Sequence, residues 1–227
     1  RVFIWSNIKH RASAVLFLNI IYGNLGLGIG GNHFSDPYIL GNEVFNNSDA
    51  ELDDDPSPGM GIKHGSAATI IGNINHDNPG GGINCKVGSP QGKYHIDRPT
   101  HPAIMKNVVY DSGSIRPGIS CNGSGSETMP VKIIGNNVYK SSLTGIGLKK
   151  GSVGIIEDNM VAESNLSGIS VNGSTALRLN RNKVTGTKEA PGFIIVNRGK
   201  VRKMIGNASD SNYGPRFKIS NGASVGE

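Results

Sequence analysis

Ile133-Ile134-Gly135-Asn136-Asn137-Val138 is followed seven residues later by Gly145-Ile146-Gly147-Leu148. The first phrase, Ile-x-x-Asn-x-Val, also stands at Ile39–Val44, Ile104–Val109 and Ile156–Val161, and as Leu179–Val184. Ile70-Ile71-Gly72-Asn73-Ile74 and Met204-Ile205-Gly206-Asn207 are imperfect copies. The anchoring residues are Asn42, Asn73, Asn107, Asn136, Asn159, Asn182 and Asn207, with spacings of 31, 34, 29, 23, 23 and 25 residues. A phrase returning at that interval is the signature of a solenoid, in which each repeat buries its apolar side against the next.

Composition says which kind. The 227 residues include 33 glycines, and aromatic residues make up 6%. Glycine and asparagine both tolerate positive φ, so this chemistry suits short strands joined by tight corners. Hydrophobic content is 36%, enough for a narrow, strip-like core. A second series interleaves with the first: Gly61-Ile62, Gly82-Ile83, Gly118-Ile119, Gly145-Ile146, Gly168-Ile169 and Gly192-Phe193. Each period therefore holds at least two strands with alternating apolar residues, Ile133 and Ile146 pointing inward. The asparagines are expected to form a ladder in which side-chain amides bond from coil to coil.

With these seven spaced phrases, the sequence resembles the right-handed parallel β-helix family, of pectate-lyase-like architecture, from about Ile20 to Asn207. The expected fold class is all-β, a β-solenoid of roughly seven to eight coils. A β-sandwich would not need near-identical phrases at this interval. One domain is expected over residues 1–208, with insertions near 46–59 and 86–103 and a cap or tail at 209–227. A bare coil builds the rod and an insertion adds a wall, so a local site is expected between about residues 33 and 121.

Three features meet in that stretch. Asp49-Ala50-Glu51-Leu52-Asp53-Asp54-Asp55 concentrates carboxylates, hard oxygen ligands that suit Ca²⁺ or simply a solvated acidic loop. Lys63, in Gly61-Ile62-Lys63-His64, faces outward if the strand alternates, where a depressed pKa makes it a general base. On the alignment of the glycines its outward equivalents are Asn84, Ser120, Gly147 and Ser170, which makes Lys63 the one charged residue of its column; Asn84 is taken as a substrate contact. An ordinary surface lysine is the alternative. The insertion Lys93-Tyr94-His95-Ile96-Asp97-Arg98-Pro99-Thr100-His101-Pro102, with Arg116 beyond it, offers the parts that hold an acidic sugar. Arg98 and Arg116 suit carboxylates, Tyr94 can stack on a ring, and His95 or His101 can exchange protons near neutrality. A loop that only packs on the rod explains the same residues.

The resemblance implies a calcium-dependent polysaccharide lyase, in which a lysine beside the metal takes the proton α to a uronate carboxylate. It makes Lys63 the base and Asp53, Asp54 and Asp55 the calcium ligands, although that family carries its acidic ligands on a preceding coil. His64, Cys85 and Cys121 are expected to share one inward column, as packed thiols, a disulfide or a metal site.

The net charge of +6 favours an anionic partner. An acidic polysaccharide fits better than nucleic acid, since no basic run carries interleaved aromatics. No apolar run is long enough to span a bilayer as a helix. A lyase or C5-epimerase is the favoured function; a non-catalytic glycan-binding, adhesive or structural module is the alternative. A secreted or cell-surface location follows from fold and partner, not from a targeting signal.

Overall fold

The computed structural model describes residues 6–9, 11–48, 55–87, 98–113 and 115–226. Among them the regular elements are all strands, arranged in three parallel sheets that the chain visits in constant order. The first sheet runs through Ser6–Ile8, Ile29–Gly31, Met60–Lys63, Ile83–Lys86, Ile119–Asn122, Ile146–Lys149, Ile169–Asn172, Phe193–Val196 and Phe217–Ile219. The second begins at Val15–Phe17 and the third at Ile20–Tyr22. Each strand pairs with its counterparts one turn earlier and one turn later, so Ile104 of the second sheet sits between Ile70 and Ile133. Ala208–Asp210, Phe217–Ile219 and Ser224–Val225 extend all three sheets by a further turn.

Alternation sends one set of side chains into the coil. Ile39, Ile70, Ile104, Ile133 and Ile156 form one fully buried file, and Ile29, Met60, Ile83, Ile119, Ile146 and Ile169 form another. Each such residue contributes roughly 1.5–3 kcal/mol by leaving water. Length along the rod, rather than a wide interior, supplies the core.

The corner between second and third sheets is always two residues: Leu18-Asn19, Gly41-Asn42, Gly72-Asn73, Lys106-Asn107, Gly135-Asn136, Asp158-Asn159, Arg181-Asn182 and Gly206-Asn207. The first residue of each pair turns the chain with φ between 51° and 66°. The asparagine then closes the ladder. The Asn136 amide nitrogen donates to Asn159 Oδ1 at 3.0 Å and to the Ile104 carbonyl at 2.9 Å. Its Oδ1 accepts from the Asn107 backbone and side chain, both at 3.0 Å. The unit repeats from Asn19 to Asn207. A polar column is thereby buried with its donors and acceptors matched.

The two other corners, which flank the first sheet, vary in length. Ile146–Lys149 reaches its second-sheet strand, Val153–Glu157, in three residues, whereas sixteen separate Lys86 from Ala103. On the third sheet, Tyr22, Phe45, His76, Tyr110 and Tyr139 stack outside the core with centroids 4.7–5.0 Å apart and planes within 7°.

The register of the first sheet corrects two expectations. Gly59-Met60, not Gly61-Ile62, aligns with Gly82-Ile83, because Met60 fills the inward slot opposite Ile83. Lys63 therefore pairs with Lys86, followed by Asn122, Lys149 and Asn172, and is not the single charged residue of its column. Asn84 belongs two residues earlier, between Gly61 and Ser120. His64 does not share a column with the cysteines either. Cys85 and Cys121 stack between Ile62 and Leu148, both thiols free and buried. His64 escapes the alternation because Lys63 ends the strand; it turns the chain with φ 54°.

Candidate functional site

Where the first sheet passes through Met60–Lys63, Ile83–Lys86 and Ile119–Asn122, the flanking corners rise around an open groove of about 740 Å³. Lys63, Lys86, Lys150 and Arg116 line it with His64, Asn84 and Asn122, opposed by Asp55. The strand alternation presents Lys63 and Lys86 side by side on adjacent coils.

This crowding acts on Lys63. Partial burial lowers its pKa most, followed by the positive charges of Lys86 and Arg116, while Asp55 pulls the other way. Both effects disfavour the ammonium, which moves the amine toward use as a base. The His64 pKa is lowered too, first by burial, then by His33, Lys63 and Lys86. Its ring stacks on His33 at 4.7 Å.

Arg116 holds one wall in place. Its guanidinium donates to the Gly80 carbonyl at 3.1 Å, to the Pro56 carbonyl and to the Asp55 carboxylate. Asn84 lies in the groove at 7% exposure, and among the described residues its Oδ1 has no hydrogen-bond partner. A buried acceptor left open costs stability unless something arrives to donate to it.

The remaining expected site residues divide. Lys63, Asn84, Arg116 and Asp55 are brought together in the groove. Arg98 and His101 are not among its lining residues. Arg98 instead donates to the carbonyls of Gly65 and Phe34, pairs with Asp36, and lies 5.9 Å from the Phe34 ring centre. His101 Nδ1 lies 2.7 Å from the Pro99 carbonyl oxygen. Tyr94, His95, Asp53 and Asp54 lie outside the described residues. Lys86, Lys150 and His64 were not anticipated as groove residues. A signal for Lys86 was present: Met60-Gly61-Ile62-Lys63 and Ile83-Asn84-Cys85-Lys86 are the same phrase once the methionine is read as an inward residue.

The donors expected for Ca²⁺ are represented among the described residues by Asp55, whose carboxylate faces Arg116. Among the described residues no three His, Cys, Asp or Glu side chains gather into a set able to hold a metal ion. Hard cations need several oxygen ligands, and two of the three expected here, Asp53 and Asp54, lie outside the described residues.

A family model described as a right handed beta helix region matches residues 117–225. Together with the three parallel sheets this decides the architecture. The chain is a right-handed parallel β-helix. Crystal structures of the periplasmic alginate epimerase AlgG share the fold with this β-helix. One aligns with a TM-score of 0.53 at 15% identity over 87% of this chain, and a substituted form with 0.51 at 15% over 92%. The chain spans 61–62% of the length of those proteins. At that identity the likeness is one of fold, which by itself hosts many chemistries. No curated protein sequence gives a significant match.

Proposed function

We propose that this β-helix binds an acidic polysaccharide across the first-sheet groove and that Lys63 removes the proton α to a uronate carboxylate. The carrying observation is the half-buried Lys63, its pKa lowered by burial and by Lys86 and Arg116, inside the groove. Lys86, Arg116 and Lys150 supply the positive field that draws in a polyanion and offsets charge as the carbanion spreads onto the carboxylate. Asn84 lines the same groove beside the two lysines. From the carbanion, return of a proton on the other face epimerises the sugar, while loss of the neighbouring glycosidic oxygen cleaves the chain. The name of the AlgG structures favours epimerisation of a uronate, and a location outside the cytoplasm agrees with it. No step is routed through calcium, since Asp53 and Asp54, two of its expected ligands, lie outside the described residues.

A non-catalytic glycan-binding module is the second reading. It is favoured by the row Asn122, Lys149 and Asn172, which extends the Lys63 column past any single reacting sugar. Incubation with a panel of polyuronates separates the two. Ultraviolet absorbance reports elimination and NMR of the polymer reports epimerisation, each with calcium and with chelator. Turnover that disappears in Lys63→Met supports catalysis, and survival in chelator supports the metal-free charge arrangement. Binding without turnover leaves the module reading, and absence of binding to every polyuronate removes both.

A further inference from the structure

The outward ring stack of the third sheet stops abruptly. Tyr22, Phe45, His76, Tyr110 and Tyr139 occupy equivalent positions on successive coils, and the positions that follow are Ala162, Thr185 and Asp210. Where Ala162 replaces a ring, a depression of about 410 Å³ opens beside Tyr139. Within the stack each ring covers the face of the next; past Tyr139 the next outward side chain is a methyl group. Met160, 56% exposed, supplies an apolar side, and Glu163, Lys183 and Thr185 supply a polar rim. None of those three side chains makes a hydrogen bond or ion pair among the described residues, although Glu163 and Lys183 line one depression. A rigid aromatic face bordered by uncommitted donors and acceptors combines what a hydroxylated ring needs: an apolar surface for its C–H face and polar groups for its edge.

We propose that this depression is a second saccharide-binding site, which takes one pyranose ring against Tyr139 as the next member of the stack. Spacing supports the occupant. The rings lie 4.7–5.0 Å apart, one per coil, so the missing member leaves a gap one ring deep above Ala162. Lys183 answers a carboxylate, while Glu163 and Thr185 answer hydroxyls. The proposal rests on the glycan reading of the protein but not on the Lys63 groove, which lies on a different sheet.

Calorimetric titration with a short oligouronate tests it on the whole chain. Wild type is expected to bind two molecules per chain. Ala162→Tyr, which continues the stack and fills the gap, is expected to bind one, and Tyr139→Ser to weaken the same site at least tenfold. Two molecules on both wild type and Ala162→Tyr overturn the proposal. One molecule on each also overturns it and leaves the groove reading standing. One on wild type and none on Ala162→Tyr supports the depression and sinks the groove reading. No binding anywhere sinks both. Should Ala162→Tyr fail to fold by circular dichroism, Lys183→Ala replaces it, and unchanged affinity in that variant and in Tyr139→Ser overturns the site.

Discussion

Replacing Asn136 with alanine removes four hydrogen bonds at one point of the buried ladder. Their loss is unequal. The Asn107 amide still reaches the Ile70 carbonyl at 3.0 Å, and Asn159 Oδ1 still accepts from the Asn136 backbone at 2.9 Å. The Asn107 backbone N–H, by contrast, donates to Asn136 Oδ1 and is stranded without it. Three bonds at about 1 kcal/mol each and one stranded buried donor at about 1–3 kcal/mol give a destabilisation of about 4–6 kcal/mol. Urea unfolding followed by circular dichroism reads this as a lower midpoint. Lys132→Ala, an exposed position on the adjoining strand, is the control and should stay within about 0.5 kcal/mol of wild type. A coil array can open locally, so hydrogen exchange of the neighbouring turns should show the loss centred on coils 104–159. A change below about 1 kcal/mol for Asn136→Ala would refute the claim that the ladder bonds contribute net stability.

Five further outcomes are expected. Because the folded Lys63 pKa is lowered, turnover should rise with pH around an inflection below the ordinary lysine value; Asp55→Asn, which removes the charge opposing that shift, should move it further toward acid. The same shift makes the Lys63 contribution to stability improve as pH rises from the folded pKa to the unfolded one, since the unfolded chain binds more protons there. Gly145→Ala places a Cβ 2.3 Å from Val161 Cγ1 and should cost about 1–3 kcal/mol in thermal unfolding, while Gly26→Ala, with open space around it, should not. Lys106→Gly relieves a non-glycine residue held at φ 54° and should raise the unfolding midpoint by the equivalent of about 0.5–1 kcal/mol. Burial pushes the Cys85 thiol pKa up, with help from a hydrogen bond to Cys121; because both thiols are buried, both cysteines should resist alkylation until urea unfolds the chain, and rapid labelling of folded protein would contradict the packed pair.

The coil was legible because one residue type does one job repeatedly. An asparagine supplies, on a short side chain, the acceptor and the two donors that this corner needs, so its spacing survives in the sequence. A neighbouring column fades for the opposite reason. Asn24, Asn47 and Asn78 form a second ladder, but the job passes to Asn212 only after serines and Thr187 occupy the corner. The ring stack carried a readable mark, an aromatic or histidine three residues after the corner asparagine, from Tyr22 to Tyr139. The groove was misread at one point. Gly61-Ile62 imitates the Gly-Ile phrase two residues late, and Met60 hides the true one, which concealed Lys86 beside Lys63. Arg98 looked like a substrate clamp because composition cannot tell an arginine that pairs with Asp36 two coils away from one that awaits a ligand.

The unequal corners divide the molecule into a spine and two lips. The asparagine edge admits no insertion, since any added residue would break the file of amides. Both edges of the first sheet, however, accept extra residues freely, and each coil does so independently of its neighbours. If the groove binds a polymer as proposed, a change of preference can therefore be written into one lip at a time, with the spine holding every other turn in phase. Transplanting the 55–59 lip onto the bare corner before Ile146 should carry part of the groove's recognition along the rod and leave the fold undisturbed.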